Sequence, residues 1–277
     1  MAIVLSLLAS LTWGTADFLG GTATRRLPAT AVVAVSQACA LAGLVVVAIA
    51  TGAYDASTGY VGWALLAAVF GVVGLLSFYT ALATGTMGVV APVAALGVVV
   101  PVVVGLAGGD RPSTTQAIGV VVAVVGVVLA SGPEIRGGTG GRPLLLAVVA
   151  AVGFGAVIVC VAKGSRSDVT MTLLVMRMAS VGALIALAAA GRAHVRVSRS
   201  DLPVLVAVGA GDVGANAMFA VASRHGLLSI VSVLSSLYPA VTVLLARLVH
   251  AERMRMVQNA GVAAALAGVV LIASGGA

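Results

Sequence analysis

Charge is what this chain has least of. Only 8% of its 277 residues are Asp, Glu, Lys or Arg, and 61% are hydrophobic. A soluble domain devotes about a quarter of its residues to charge, so a soluble fold could not cover its own surface with this composition. Aromatic residues are also scarce, at 4%. The net charge of +7 therefore does not point to nucleic acid. The basic residues sit in short gaps between apolar runs, with no aromatic interleaving and no clustered patch. Cysteine is nearly absent. Cys39 and Cys160 both lie inside apolar runs, without metal-type spacing or a disulfide framework, and read as small apolar side chains. His194, His225 and His250 have no ligand spacing between them, so no metal is expected. A phosphate-binding GxxxxGK[ST] loop is missing, so ATP is not the direct driver. No nucleophile–base set appears either, and an enzyme is not expected. No cofactor is expected. The first apolar run has no basic segment before it and reads as a retained helix rather than a signal peptide. One lysine, Lys163, stands against fourteen arginines, a codon bias that suggests a GC-rich bacterial source.

What is present is apolar sequence of spanning length. The mean hydropathy is +1.20. Apolar runs fall near 2–23, 30–51, 60–83, 86–107, 114–131, 143–163, 169–190, 202–223, 227–249 and 256–275. About 20 helical residues at 1.5 Å each cross a hydrocarbon core of about 30 Å. Open strands are excluded, because they would leave backbone groups unpaired in lipid.

The runs repeat. "GTMGVVAPVAALG" at 85 aligns with "GLLSIVSVLSSLY" at 226, a shift of 141. "TWGTA" at 12 aligns with "GFGAV" at 153 by the same shift. "DRPSTTQAIGVVVAVVGVVLASG" at 110 aligns with "ERMRMVQNAGVAAALAGVVLIASG" at 252, setting Asp110 opposite Glu252 and Gln116 opposite Gln258. Each half holds five runs, an odd number, so the second half enters the membrane from the opposite side. The expected fold is all-α and polytopic, with ten transmembrane helices as two inverted five-helix repeats. The boundaries are 1–132 and 143–277, with a Gly-rich linker at 133–142. Such repeats hold their substrate site near the midplane between the halves.

The Trp-Gly of the first run, and the acid–Arg pair followed by Gln and Gly that opens the last run of each half, resemble the ten-helix EamA-type branch of the drug/metabolite transporter superfamily. The resemblance covers the whole chain. It implies a secondary transporter of small metabolites or drugs. It also implies a central cavity lined by the first, third, fourth, sixth, eighth and ninth runs, with the fifth and tenth peripheral.

Charge inside a span costs at least about 2.5–3.5 kcal/mol and marks candidate sites. Asp17 lies past the middle of the first run, Asp212 near the middle of the eighth and Arg177 near the middle of the seventh. Asn216 at i+4 and Phe219 at i+7 share a face with Asp212. Trp13 is one turn before Asp17, while Gly20 and Gly21 follow it and leave the backbone approachable. An unpaired carboxylate must be neutral in such an apolar place, which suits proton coupling. Its competing reading is an early end to the first helix near Phe18. Arg177 is read as a counter-ion to Asp212. Tyr79, Ser235, Ser236 and Tyr238 are cavity candidates that also suit helix-to-helix hydrogen bonding. Gln37 falls outside the expected lining and reads as such glue. Pro92, Pro101 and Pro239 mark kinked or cavity-lining segments.

These features describe a proton-coupled secondary transporter in the cytoplasmic membrane, working by alternating access, with Asp17 and Asp212 as the titrating groups, one from each half. Its expected partners are a small-molecule substrate, protons and the lipid bilayer. The alternative is a non-transporting scaffold or accessory subunit that uses small-residue surfaces such as 119–132 to form a homodimer or hold a partner. Nine basic residues lie in gaps after odd-numbered runs and four in gaps after even-numbered runs. The positive-inside rule then places the odd gaps in the cytoplasm.

Overall fold

The computed structural model describes residues 1–53, 58–84, 90, 93–131, 141–191, 197–250 and 256–275. Pro92, His194, Glu252 and most of the 133–142 linker fall outside them. The described residues form helices joined by short connections, with no strand among them. The helices are α1 (Ala2–Ala23), α2 (Ala29–Thr51), α3 (Val61–Thr84), α4 (Val99–Ala107), α5 (Thr114–Ser131) and α6 (Gly141–Gly164). They continue with α7 (Val169–Ala189), α8 (Leu202–His225), α9 (Leu228–Ser235), α10 (Tyr238–His250) and α11 (Met256–Ser274). Six of the described helical stretches are long and apolar enough to cross a membrane. Helix is the form that pairs every backbone group within one segment, as lipid demands. Val46, Ile49, Val69, Val121, Ile185 and Leu266 point outward, where an aqueous surface would carry charge. The chain is an all-α polytopic membrane protein.

The packing is that of two interlocked repeats. α1 packs on α8, and α6, its equivalent in the second repeat, packs on α3. α2 packs on α8, and α7 likewise packs on α3. The equivalence reaches single atoms. A Cβ added at Gly14 would strike the Tyr238 carbonyl and Val241. Gly155 is the counterpart of Gly14 in the second repeat. A Cβ added there would strike the Gly97 carbonyl and Val100, the counterparts of Tyr238 and Val241 in the first. Only glycine lets these backbones approach so closely.

The fourth and ninth runs are broken at matching places. A 3-10 segment, Leu96–Val98, precedes α4. In the ninth run α9 stops at Ser235 and α10 starts at Tyr238. The Leu237 N–H donates to the Leu234 carbonyl and the Ala240 N–H to the Leu237 carbonyl, both i−3 bonds. Pro239 has no N–H, so the Ser235 carbonyl lacks its i+4 donor.

α5 and α11 pack along each other at the periphery. Gly126 rests against Ala264 and Ala265, Gly119 against Gly268 and Ile272, and Gly268 against Ala123. The small-residue stripe expected to recruit a partner is therefore occupied inside the chain. The motif opening α5 has two roles. The Gln116 Oε1 accepts from the Ser113 N–H at 2.9 Å, and the Ser113 Oγ accepts from the Gln116 N–H at 3.2 Å, a reciprocal N-terminal cap. The Asp110 Oδ2 accepts from the N–H and Oγ of Ser229, both at 2.8 Å, and so caps α9 in the other repeat.

Candidate functional site

A cavity of about 110 Å³ lies between the halves. A water needs roughly 10–15 Å³ on this measure, so the space holds several waters or a small solute. Equivalent positions of the two repeats both line it. Trp13 pairs with Phe154, Asp17 with Ile158, Gly71 with Asp212 and Leu75 with Asn216. Each polar member has an apolar or bare equivalent in the other repeat. A symmetric scaffold thus carries an asymmetric charge distribution.

Asp212 is the most heavily bonded group in the cavity. Its Oδ2 takes an ion pair from Arg177 Nη2 at 2.5 Å and a hydrogen bond from Gln37 Nε2 at 3.2 Å. Its Oδ1 accepts from Trp13 Nε1 at 3.1 Å and from Asn216 Nδ2 at 2.9 Å. A carboxylate offers about four acceptor sites, so Asp212 is saturated. Arg177 Nη1 also donates to Gln37 Oε1. Gln37 thereby bridges both members of the pair. Arg177 is 7% exposed and Asp212 24% exposed, so the charges neutralise each other where water is scarce.

Asp17 is different. α1 continues past it to Ala23, so it is a mid-helix residue and not a helix end. It lines the cavity and is half-buried. No hydrogen bond or ion pair reaches its carboxyl group among the described residues. Asp212, Tyr79 and Tyr238 lie within its electrostatic reach. Among the described residues, the charged side chains lining the cavity are two carboxyl groups, Asp17 and Asp212, against one cation, Arg177. The group without a counter-ion is Asp17.

The family model of the EamA-like transporters matches residues 1–132 and 141–274, one segment for each half. The chain belongs to the EamA-like transporter family. A protein crystal structure 20% identical to it superposes with a TM-score of 0.77, covering 98% of this chain and 95% of that one. At that identity the likeness shows the fold. No curated protein matches the chain. Family membership makes this EamA-like chain a membrane transporter of small solutes.

Several expectations change once the side chains are placed. Gln37 lines the cavity and joins its ion pair, so the second run belongs to the site. The seventh run contributes Met176, Arg177 and Ser180, although the family resemblance placed it outside. Phe219 does not line the cavity. It is fully buried behind Trp13, with ring centroids 6.1 Å apart. Tyr79 is 2% exposed and absent from the lining; its hydroxyl rests on α1 at Gly20. Tyr238 lines the cavity and meets Trp13 edge to face at 6.3 Å. Ser235 and the fourth run line a second, smaller chamber instead.

Proposed function

We propose that this EamA-like transporter is a proton-coupled secondary transporter of the cytoplasmic membrane of a bacterium, and that Asp17 is its exchange site. One observation carries the reading. Among the described residues the cavity holds two carboxyl groups and one cation, and of these only Asp17 lacks a partner. An ionised carboxyl group without a partner in such a place is costly, so it must hold a proton or a positively charged ligand. Proton and solute then compete for one group, and each enters as the other leaves. Asp212, Arg177 and Gln37 form the fixed frame that orients Trp13 along the wall. The broken fourth and ninth runs supply segments that change geometry as the halves rock between the two sides.

The test uses proteoliposomes with a pH-sensitive dye inside and tetramethylammonium as the probe, because this cation cannot itself carry a proton. A tetramethylammonium gradient is expected to move protons in the opposite direction through the wild type and not through Asp17→Asn. Equal proton movement through Asp17→Asn would overturn the proposal.

A further inference from the structure

The second chamber, about 30 Å³, adjoins the main cavity and shares Trp13, Phe154, Ile158 and Tyr238 with it. It sits where the broken fourth and ninth runs face each other. Gly97 and Pro101 wall one side, and Ser232 and Ser235 the other. These serines are 2% and 1% exposed, and neither hydroxyl has a hydrogen-bond partner among the described residues.

Serine and threonine hydroxyls in lipid-spanning helices can satisfy themselves on the carbonyl three or four residues back. Thr12, Thr15, Thr22, Thr80, Ser180 and Ser236 all do so here. Ser232 and Ser235 face the chamber without making that bond. A buried hydroxyl left unpaired keeps its desolvation cost uncompensated, which a bound polar group would offset. The repeat supplies an internal control. The equivalent positions of the first repeat are Ala91 and Ala94, so the first half has methyl groups where the second has hydroxyls. The repeat pattern does not call for serine here.

We propose that this chamber is a hydrogen-bonding subsite of the transport pathway. It takes the hydroxyl or carbonyl end of a small organic cation whose ammonium group pairs with Asp17. The cationic half of this assignment rests on Asp17 being the exchange site; the chamber's half rests on the two serines. Each serine hydroxyl can donate and accept, which suits a hydroxyl or carbonyl and not an alkyl end. Trp13 and Tyr238, between the two spaces, offer ring faces to the cation's methyl or methylene groups.

The test compares choline with propyltrimethylammonium, which puts a methyl group in place of the hydroxyl. Binding to the purified full-length protein is measured by calorimetry. The wild type is expected to prefer choline by about tenfold, as one additional buried hydrogen bond would give. Ser232→Ala/Ser235→Ala is expected to remove that preference while leaving propyltrimethylammonium binding unchanged, which also shows that the variant folds. Equal affinities in the wild type, a preference that survives in the double variant, or no binding of either probe would each overturn the proposal. Asp17→Asn separates the two readings. It is expected to weaken both probes together and keep their ratio. Unchanged affinities in that variant, with the ratio intact, would overturn the exchange role of Asp17 and leave the chamber's assignment standing.

Discussion

At the scale of single residues, the two carboxylates have opposite energetic roles. Asp212 is locked by four donors, and removing its cation leaves a buried charge without compensation. Arg177→Met should therefore destabilise the protein by about 3–5 kcal/mol, read as a large fall in Tm in detergent. Asp17→Asn removes a charge that has no partner and should leave Tm at or above the wild-type value. Similar losses in the two variants would contradict this division of roles. Gln37→Leu unpairs Arg177 Nη1 and removes one of the four donors to Asp212, and should cost about 1–3 kcal/mol in the same assay. Asp17, Asp212 and Arg177 were legible in the sequence because charge stands out in an apolar run. The role of Gln37 was not. An amide is cheap enough in a helix bundle to pass as ordinary interhelical bonding, and its partners are far off in the chain, on α7 and α8. Helical spacing puts Asp212, Asn216 and Phe219 on one side of α8, but only Asp212 and Asn216 line the cavity. Spacing does not say that Trp13 would fill the space between Phe219 and the cavity.

At the scale of elements, what the sequence shows is glycine and proline, and what it hides is their partners. The stripe in α5 was visible as a packing surface, but its partner α11 was not, because any small-residue face fits several others. Gly126→Val would drive a branched side chain into the α11 backbone at Ala265. It should lower Tm and folded yield, yet the protein that folds should bind tetramethylammonium with wild-type affinity, since neither helix lines the cavity. A weakened affinity in the folded fraction would show that the pair is not merely peripheral. The Asp110 cap on α9 joins the two repeats. Asp110→Ala should cost about 0.5–2 kcal/mol as a lost helix cap, measured by thermal or denaturant unfolding. The break after Ser235 was signalled only by Pro239. A proline marks a missing donor, and whether the helix kinks or stops is set by the helices around it.

At the scale of the whole molecule, the inverted repeat explains how a nearly uncharged chain builds a charged site. Two copies of one five-helix unit make a symmetric cavity. Substitution on one side of each pair, Asp17 against Ile158 and Asp212 against Gly71, then makes its charge asymmetric. The helix count and the repeat were legible because apolar length and a constant shift survive divergence. The cavity's full lining was not, because it depends on how tightly the halves interlock. The basic residues favour the cytoplasm for the gaps after odd-numbered runs. In a protein without other cysteines, Arg26→Cys should resist an impermeant thiol reagent on intact cells and Arg166→Cys should react. Both positions are exposed in short connections, so the reverse pattern would invert the orientation. The central claim is that one cavity carboxylate exchanges a proton for a cation. The most direct measurement is proton release when tetramethylammonium binds the purified protein in weak buffer, titrated across the neutral range. The expected result is up to about one proton per bound cation from the wild type and from Asn216→Ala, and none from Asp17→Asn, because a single carboxyl group holds either charge. Undiminished release from Asp17→Asn would contradict the account.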